Sequence, residues 1–281
     1  MVMPLEDHAG DIIRKSRMGR GVSATEVASR AGLTQEQLEQ FEEHGSTNSN
    51  PNFEAVAELL TLDPRKLRQV AEGWEPRAHD MHQWTHFRHI ETDDGGMAVN
   101  CFLVWDDATK AGALFDTGWV LPPIQALIET HSIQLQHIFI THSHYDHIEA
   151  LADVRRFAPD ALLHSNIKSA PKVQQLDHGE TFVIGSLTVS FRETPGHADD
   201  GVTYIVDGFP LNQPRLAIVG DAIFAGSMGG APKHFELARN KVIEEVLSLP
   251  GDSLICPGHG PLTTVNEERD HNPFFPAARL S

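Results

Sequence analysis

One run of metal-binding side chains constrains this chain more than any other feature of its sequence. Residues 138–140 are apolar and predict the end of a buried strand, and residues 141–147 then read Thr-His-Ser-His-Tyr-Asp-His. Imidazole nitrogens and carboxylate oxygens are ligands that zinc, iron and manganese accept. This histidine motif offers His142, His144, Asp146 and His147, too many ligands for one metal ion that must keep an open position. The motif therefore predicts a two-metal hydrolytic site.

Composition limits the partners and the location that we expect. The 281 residues are 40% hydrophobic, which predicts one or two domains with an ample core. The net charge of −17, with histidine neutral, disfavours nucleic acid and anionic membrane surfaces as partners. Cys101 and Cys256 lie in apolar runs and are predicted to be reduced core thiols. We find no signal-peptide pattern and no apolar run of membrane-spanning length, so we expect a cytoplasmic protein without a membrane partner.

Residues 8–73 predict helices only. Ser23 and Gly32 mark the start and end of one short helix, and Thr34 and Gly45 bound the next. Five short helices with a tight turn between the second and third are typical of a helix-turn-helix domain. The stretch resembles the Cro/lambda-repressor-like (Xre-type) DNA-binding domain, and the resemblance rests on residues 22–28, 31–34, 43–45 and 50–51.

The charge of the presumed recognition helix, between Thr34 and His44, disfavours DNA as a partner. This helix has no lysine or arginine, and it carries Glu36, Glu39, Glu42 and Glu43. A helix in the major groove normally presents hydrogen-bond donors to bases and phosphates. We therefore favour a helical domain that kept the fold and works in partner binding or as a homodimer through residues 8–73. Sequence-specific DNA binding stays open as the alternative.

Residues 74–92 are predicted to be a linker and the start of a second domain, residues 93–281. The histidines of this linker have neither regular spacing nor carboxylate companions, and we expect surface or packing roles for His79, His82, His86 and His89. From residue 97 onward, predicted strands and helices alternate and include a hairpin across Gly185. This pattern predicts an α/β domain with two sheets in the core and helices outside.

Four predicted strands of the second domain end in a metal-type ligand. The histidine motif is the first, and the others are residues 194–197, 219–221 and 256–260, which contain His197, Asp221 and His259. A glycine or proline beside each of these three ligands predicts a sharp backbone turn at a sheet edge. One such turn would be weak evidence, but four in this order indicate a single metal site.

This order of ligands resembles the metallo-β-lactamase superfamily over residues 97–275 and implies its αβ/βα sandwich. By position, the resemblance implies that the first metal is held by His142, His144 and His197. It implies that the second metal is held by Asp146, His147 and His259, that Asp221 bridges the two, and that buried Asp116 orients a ligand imidazole. The expected cofactors are two divalent metal ions, zinc first, with iron or manganese as alternatives.

Asp221 favours the glyoxalase II-like hydrolase branch, because the commonest zinc β-lactamases carry cysteine there. Residues 100–104, 220–227 and 257–264 resemble that branch as well. The resemblance implies hydrolysis of a small-molecule thioester, ester or lactone by a metal-bridging hydroxide that Asp146 and Asp221 orient. Two alternatives stay open, a mononuclear iron persulfide-type dioxygenase and a metabolite-sensing DNA-binding regulator. The chain departs from the branch at Glu149, usually a small residue, and at residues 229–232, which lack the usual arginine and aspartate.

Overall fold

Two β-sheets packed face to face form the centre of the molecule. The structure is a computed structural model, and it describes residues 3–79, 84–177, 179–210 and 213–277. Helices cover the outer faces of both sheets, as the sequence predicts for an αβ/βα sandwich. Between the sheets the rings of Phe115, Phe139 and Tyr204 pack with centroids 5.0 to 5.6 Å apart. Cys101 and Cys256 are buried free thiols, as predicted.

The first sheet contains five strands, which neighbour one another in chain order. They are β1 (Phe87–Asp93), β2 (Ala98–Trp105), β3 (Ala111–Phe115), β4 (Gln134–Phe139) and β5 (Leu162–His164). The first three strands pair antiparallel, and β3, β4 and β5 run parallel. Apolar side chains of α6 (Pro122–His131) and α8 (Leu151–Phe157) pack against the outer face of this sheet. The carboxyl ends of β3 and β4 therefore meet at one edge, where Asp116 and the histidine motif follow.

The second sheet contains six strands. They are β6 (Thr181–Ile184), β7 (Leu187–Glu193), β8 (Val202–Asp207), β9 (Leu216–Gly220), β10 (Leu254–Pro257) and β11 (Thr263–Thr264). Their spatial order is β11-β10-β9-β8-β7-β6, and only β9 and β10 run parallel. The predicted hairpin across Gly185 joins β6 to β7. The loops after β7, β9 and β10 carry His197, Asp221 and His259.

Residues 8–73 form the five predicted helices. They are α1 (Ala9–Arg20), α2 (Ala24–Ala31), α3 (Gln35–His44), α4 (Phe53–Leu60) and α5 (Pro64–Ala71). The side chains of Ser23 and Thr34 accept hydrogen bonds from the first turns of α2 and α3. Gly32 and Gly45 end these helices with φ of +72° and +69°, a conformation that favours glycine. The caps are local signals, and the sequence therefore predicts these boundaries.

The helical region shares one hydrophobic core with the second sheet and its outer helices. Buried Ile12 and Ile13 of α1 belong to the same cluster as Phe235 of α9 (Phe235–Lys241) and Ile255 of β10. Buried Lys66 donates to the carbonyl oxygens of Arg269, at 2.6 Å, and Phe275, at 2.5 Å. These groups lie on α10 (Val265–His271) and just beyond it.

A second buried cation makes the same kind of contact. The Arg239 guanidinium donates to the carbonyl oxygens of Thr61, at 2.7 Å, and Phe274, at 2.8 Å. The helical region is therefore packed against the sandwich through core side chains and buried hydrogen bonds, and is not merely attached by a linker.

Several elements differ from the sequence-based expectations. Strand β1 lies almost wholly inside residues 74–92, the predicted linker and domain entry, where no strand is predicted. The sequence predicts one helix over residues 148–157, whereas the structure has a short α7 (Tyr145–Ile148) followed by α8. Glu42, one of the four glutamates of the presumed recognition helix, faces inwards and accepts two hydrogen bonds from Arg17, at 2.8 and 2.7 Å. Among the described residues, no helix is long and apolar enough to cross a bilayer.

The histidines of the predicted linker pack or lie near the surface. His89 stacks on Phe102 with ring centroids 5.4 Å apart, and His86 meets Trp105 edge to face at 5.9 Å. His79 is partly exposed, and His82 lies outside the described residues.

Candidate metal centre

Four loops at one edge of the sandwich bring all seven predicted metal ligands together. The donor atoms form two groups, and within each group they lie within 4.8 Å of one another. The first group contains His142, His144, His197 and Asp221, and the second contains Asp146, His147 and His259. Ligands far apart in sequence meet because the strands that precede them end at the same edge.

Asp221 lies between the two groups. Its Oδ2 is 3.3 Å from Nε2 of His197 in the first group and 3.5 Å from Nε2 of His259 in the second. Its Oδ1 is 3.3 Å from Nε2 of His147. One carboxylate thus faces ligands of both groups, which is the position required of a bridging ligand.

Three imidazoles are oriented by contacts of Nδ1, the ring nitrogen that faces away from the site. Nδ1 of His147 lies 2.8 Å from an Asp116 carboxylate oxygen. Nδ1 of His197 lies 3.0 Å from the Gly230 carbonyl oxygen, and Nδ1 of His259 lies 2.8 Å from that of Ala98. Because these oxygens only accept hydrogen bonds, each Nδ1 carries a proton, and each Nε2 points into the site, where it can bind a metal ion once it is deprotonated.

Asp116 connects the histidine motif to the end of β3. Besides His147, it accepts hydrogen bonds from the backbone N–H and the hydroxyl of Thr141, both at 2.8 Å. The Thr141 hydroxyl in turn lies 3.0 Å from Nδ1 of His142. Asp116 is buried, and its φ of +55° is in the left-handed region, which aspartate tolerates better than most residues. This carboxylate therefore fixes the first turn of the motif, where the sequence places a ligand-orienting residue.

The site fits metal ions, because its central atoms lack hydrogen-bond partners. Nε2 of His142, Nε2 of His147 and Oδ1 of Asp221 are buried and make no hydrogen bond among the described residues, although the last two atoms lie 3.3 Å apart. Leaving a buried polar atom unpaired costs about 1–3 kcal/mol, and more when the group is charged. These three atoms lie close together, and nitrogen and oxygen donors of this kind suit divalent metals.

The charges in the site are strongly perturbed in the protein without metal. Burial lowers the pKa of His142 well below its usual value, and the neighbouring His147 lowers it further. Burial also opposes the charged form of His147, but Asp116 and Asp221 outweigh it and raise the His147 pKa to about 10. Burial is likewise outweighed at His259, whose pKa is raised to about 11 by hydrogen bonds to Asp146 and Asp221. Metal binding must therefore displace protons from His147 and His259.

Sequence reasoning missed the residues that support the His259 loop. Nδ2 of Asn100 donates to the carbonyl oxygens of Pro257, at 3.0 Å, and Gly260, at 2.9 Å. His89 holds Asn100 in turn, through a contact of 2.6 Å to Oδ1. Nothing in the sequence marks Asn100 as a support, because its partners are backbone carbonyls 157 and 160 residues away.

Two glycines let the backbone approach the ligands. A Cβ atom at Gly229 would lie 1.9 Å from the carbonyl oxygen of Asp221, and one at Gly258 would lie 2.3 Å from Oδ1 of the same residue. Any side chain at either position would displace Asp221, so both glycines are required by the geometry of the site.

A cavity of about 630 Å³ opens over the donor groups. His144, Asp146 and His259 contribute to its floor, and its apolar walls come from Met97, Trp119, Tyr145 and Phe224. Two charged residues of the N-terminal segment, Glu6 and Lys15, also line it. Glu149 is exposed, and its carboxylate accepts a hydrogen bond from Tyr145, which raises the pKa of that phenol.

Comparisons with known proteins relate the chain to metalloenzymes. The sequence profile of the Metallo-beta-lactamase superfamily matches residues 94–281. Hydroxyacylglutathione hydrolase GloC of Haemophilus influenzae is 26% identical over 201 residues, which are 63% of this chain and 92% of that protein. The mitochondrial persulfide dioxygenase ETHE1 of Homo sapiens is 29% identical over 187 residues, 62% of this chain and 72% of that one. The crystal structure of the BLEG-1 B3 metallo-beta-lactamase aligns with a TM-score of 0.57 and 26% identity, over 67% of this chain and 98% of that one.

Proposed function

Since the chain belongs to the Metallo-beta-lactamase superfamily, we propose that it is a hydrolase that uses two divalent metal ions to cleave a thioester, ester or lactone. The observation that carries the proposal is the position of Asp221 between two complete groups of ligands. A site for one metal ion would use only one group of ligands. The imidazoles and the carboxylate of the second group would then bind no metal.

The roles of the residues follow from their positions. His142, His144 and His197 would hold one ion, Asp146, His147 and His259 the other, and Asp221 both; zinc is the first candidate. Bound divalent ions would lower the pKa of a water and polarise an acyl carbonyl.

Asp146 and Asp221 would orient the attacking water by accepting its hydrogen bonds. Both carboxylates are ionised. Burial opposes their charge, but the His259 hydrogen bond lowers the pKa of Asp146, and His147 lowers that of Asp221. Trp119 and Tyr145 pack edge to face at 5.7 Å and form an apolar wall that would hold the substrate over the ions.

An acyl substrate agrees with the similarity to a protein named hydroxyacylglutathione hydrolase. The same fold is shared by a protein titled a B3 metallo-β-lactamase, so a β-lactam should be assayed beside thioesters, esters and lactones. Asp221 favours the last three classes as substrates.

The test is loss of metal and activity together. We expect Asp221→Ala and His197→Ala to lose bound metal and to lower kcat/KM for the best substrate by about 10³-fold or more, because each removes a ligand. His44→Ala is the matched control, since this imidazole is exposed on α3, and it should change neither quantity. Full activity in a metal-free sample would overturn the proposal.

A second candidate function is a mononuclear iron persulfide-type dioxygenase. The similarity to human ETHE1 favours it. The completeness of the second ligand group favours the hydrolase instead. Oxygen uptake with a persulfide substrate and one iron per chain would select the dioxygenase.

We also propose that the helical region does not bind DNA. The presumed recognition helix α3 exposes Glu36, Glu39 and Glu43, and each carboxylate would repel the duplex. We expect no change in the fluorescence anisotropy of labelled duplex DNA at low salt, where phosphate contacts are strongest. Tight binding under those conditions would favour a metabolite-sensing regulator. A homodimer through residues 8–73 remains part of the proposal, and light scattering would test it.

A further inference from the structure

Helix α1 of the helical region reaches the cavity above the metal ligands. Lys15, which lies on this helix, lines the cavity together with His144, Asp146 and Asp221. Among the described residues that line the cavity, Lys15 is the one lysine or arginine. The helical region thus contributes a charged side chain to the site.

The Lys15 ammonium is held firmly. Its Nζ donates to the carboxylate of Asp7 and to the carbonyl oxygen of Met228, at 3.1 Å, and lies 5.0 Å from the centroid of the Phe224 ring. Asp7 is buried and also accepts a hydrogen bond of 2.5 Å from the Ser227 hydroxyl. An ammonium group has three N–H donors, and these contacts use two. These two contacts leave one N–H donor on a side chain that is 22% exposed and lines the cavity.

A second cavity continues from the first along α1. It measures about 270 Å³ and is lined by Arg14, Met18 and Pro232, among others. Lys15 and Gly230 line both cavities, so they stand where the two meet. A Cβ atom added at Gly230 would meet nothing within 4 Å. Space is therefore open beside Gly230, which lines both cavities, and a substrate arm longer than the acyl group itself would extend into it.

We propose that Lys15 is a specificity-determining residue, which donates a hydrogen bond to one carboxylate on the arm of the acyl substrate. The inference rests on the proposed hydrolase and names its substrate class, a mono-anionic acyl compound. A chain of net charge −17 repels anions at long range, so an anionic substrate needs a local cation. Glu6 and Asp94 also line the cavity, and their charges would repel a second carboxylate.

The experiment compares matched substrates. Thioesters of N-acetylcysteamine would carry a terminal carboxylate after two, three or four methylenes, and each would be paired with its neutral primary carboxamide. The quantity measured is the ratio of kcat/KM for the acid to kcat/KM for its amide, with thioester cleavage followed on protein loaded with metal. We expect the wild-type ratio to exceed one for at least one chain length. Lys15→Met should lower it by about tenfold or more, because a charge-assisted hydrogen bond is lost.

Three further variants separate recognition from folding. Lys15→Arg keeps the charge and should keep the ratio within about threefold. Glu6→Gln removes a repelling charge without touching Lys15 and should raise the ratio. Arg30→Met removes an exposed cation on α2 and should leave it unchanged. Equal ratios for the wild type, Lys15→Met and Glu6→Gln would overturn the inference while the hydrolase stands. Failure of the metal-loaded wild type to cleave any member of the panel would overturn the proposed function, and the inference with it.

Discussion

The metal centre and the helical region differ in how far their local sequence indicates their role. At the metal centre, each ligand stands in a short turn after a strand, and the ligand types themselves indicate the chemistry. In the helical region, the caps at Ser23, Thr34, Gly32 and Gly45 define the helices, but nothing local indicates where those helices pack. The sequence of the helical region resembles a DNA-binding domain, whereas in the structure Lys15 of this region lines the cavity above the candidate metal ligands.

A resemblance to a DNA-binding domain therefore does not assign the helical region a role in DNA binding. Lys66 and Arg239 are among the buried residues that dock the helical region, and their partners are backbone carbonyls. Every residue has a backbone carbonyl, so contacts to carbonyl oxygens do not require a particular residue type and cannot be recognised as a sequence motif. Their consequence is nonetheless large, because they place Lys15 beside the metal ligands.

Removal of residues 1–73 should have the largest effect. The truncated chain would expose the apolar surface that packs on Ile12 and Ile13, and we expect it to be insoluble or unfolded. The full chain should unfold in one calorimetric transition that includes both regions. A soluble, active fragment, or two separate transitions in the full chain, would show that the two regions are independent.

Lys66→Met should destabilise the protein by about 3 kcal/mol, because the carbonyl oxygens of Arg269 and Phe275 lose a charged donor in a buried place. Chemical denaturation would measure the loss. Arg65→Met is the control: Arg65 donates to the Asp270 carbonyl oxygen at 3.2 Å but is exposed, so we expect a cost below about 1 kcal/mol. Similar values for the two variants would contradict the docking role of Lys66.

Asp116→Asn should weaken metal affinity or kcat/KM by about 10- to 100-fold, as loss of a partner that orients a metal ligand usually does. Asparagine tolerates the φ of +55° at this position, so the fold should persist. Titration with a competing chelator would measure the affinity. Asp107→Asn, which changes an exposed carboxylate, should have no effect, and equal affinities in all three proteins would contradict the role of Asp116.

We expect Glu268 to have a smaller effect, which is on how the stability of the protein depends on pH. Burial raises its pKa from 4.5 to about 7, against hydrogen bonds from Asn272, Thr263 and Gly226 that lower it. The folded state then retains a proton that the unfolded chain releases. The stabilisation is complete below the unfolded pKa and is lost as pH rises through 7. Between pH 6 and pH 8 the wild type should lose about 1 kcal/mol relative to Glu268→Gln. Parallel stability curves for the two proteins would contradict this.

The sequence predicts much of the sandwich because the signals are local. The sequence predicts a helix over residues 122–131, which are the bounds of α6, and the predicted hairpin across Gly185 joins β6 to β7. The match of residues 94–281 to the superfamily confirms the resemblance. Strand β1 was missed because it is an edge strand whose polar residues, Arg88 and His89 among them, hide its alternation. Strand β11 has two residues, too few for any periodicity.

The sequence predicts which residues meet at the candidate site, but it does not predict their surroundings. The resemblance assigned the seven ligands and Asp116, and the structure brings them to one place. The roles of Asn100 and Lys15 depend on contacts across 157 and 213 residues of chain, to backbone oxygens. Periodicity and motif spacing carry no information about such contacts. The same holds for Glu42, which looked like a surface charge and is buried against Arg17.

The most direct test is anomalous X-ray diffraction from crystals of protein purified without chelator, recorded at the absorption edges of zinc, iron and manganese. We expect two peaks on either side of the Asp221 carboxylate, one beside His142, His144 and His197, and the other beside Asp146, His147 and His259. A single iron peak beside the first group, with the second group empty, would contradict the two-metal hydrolase.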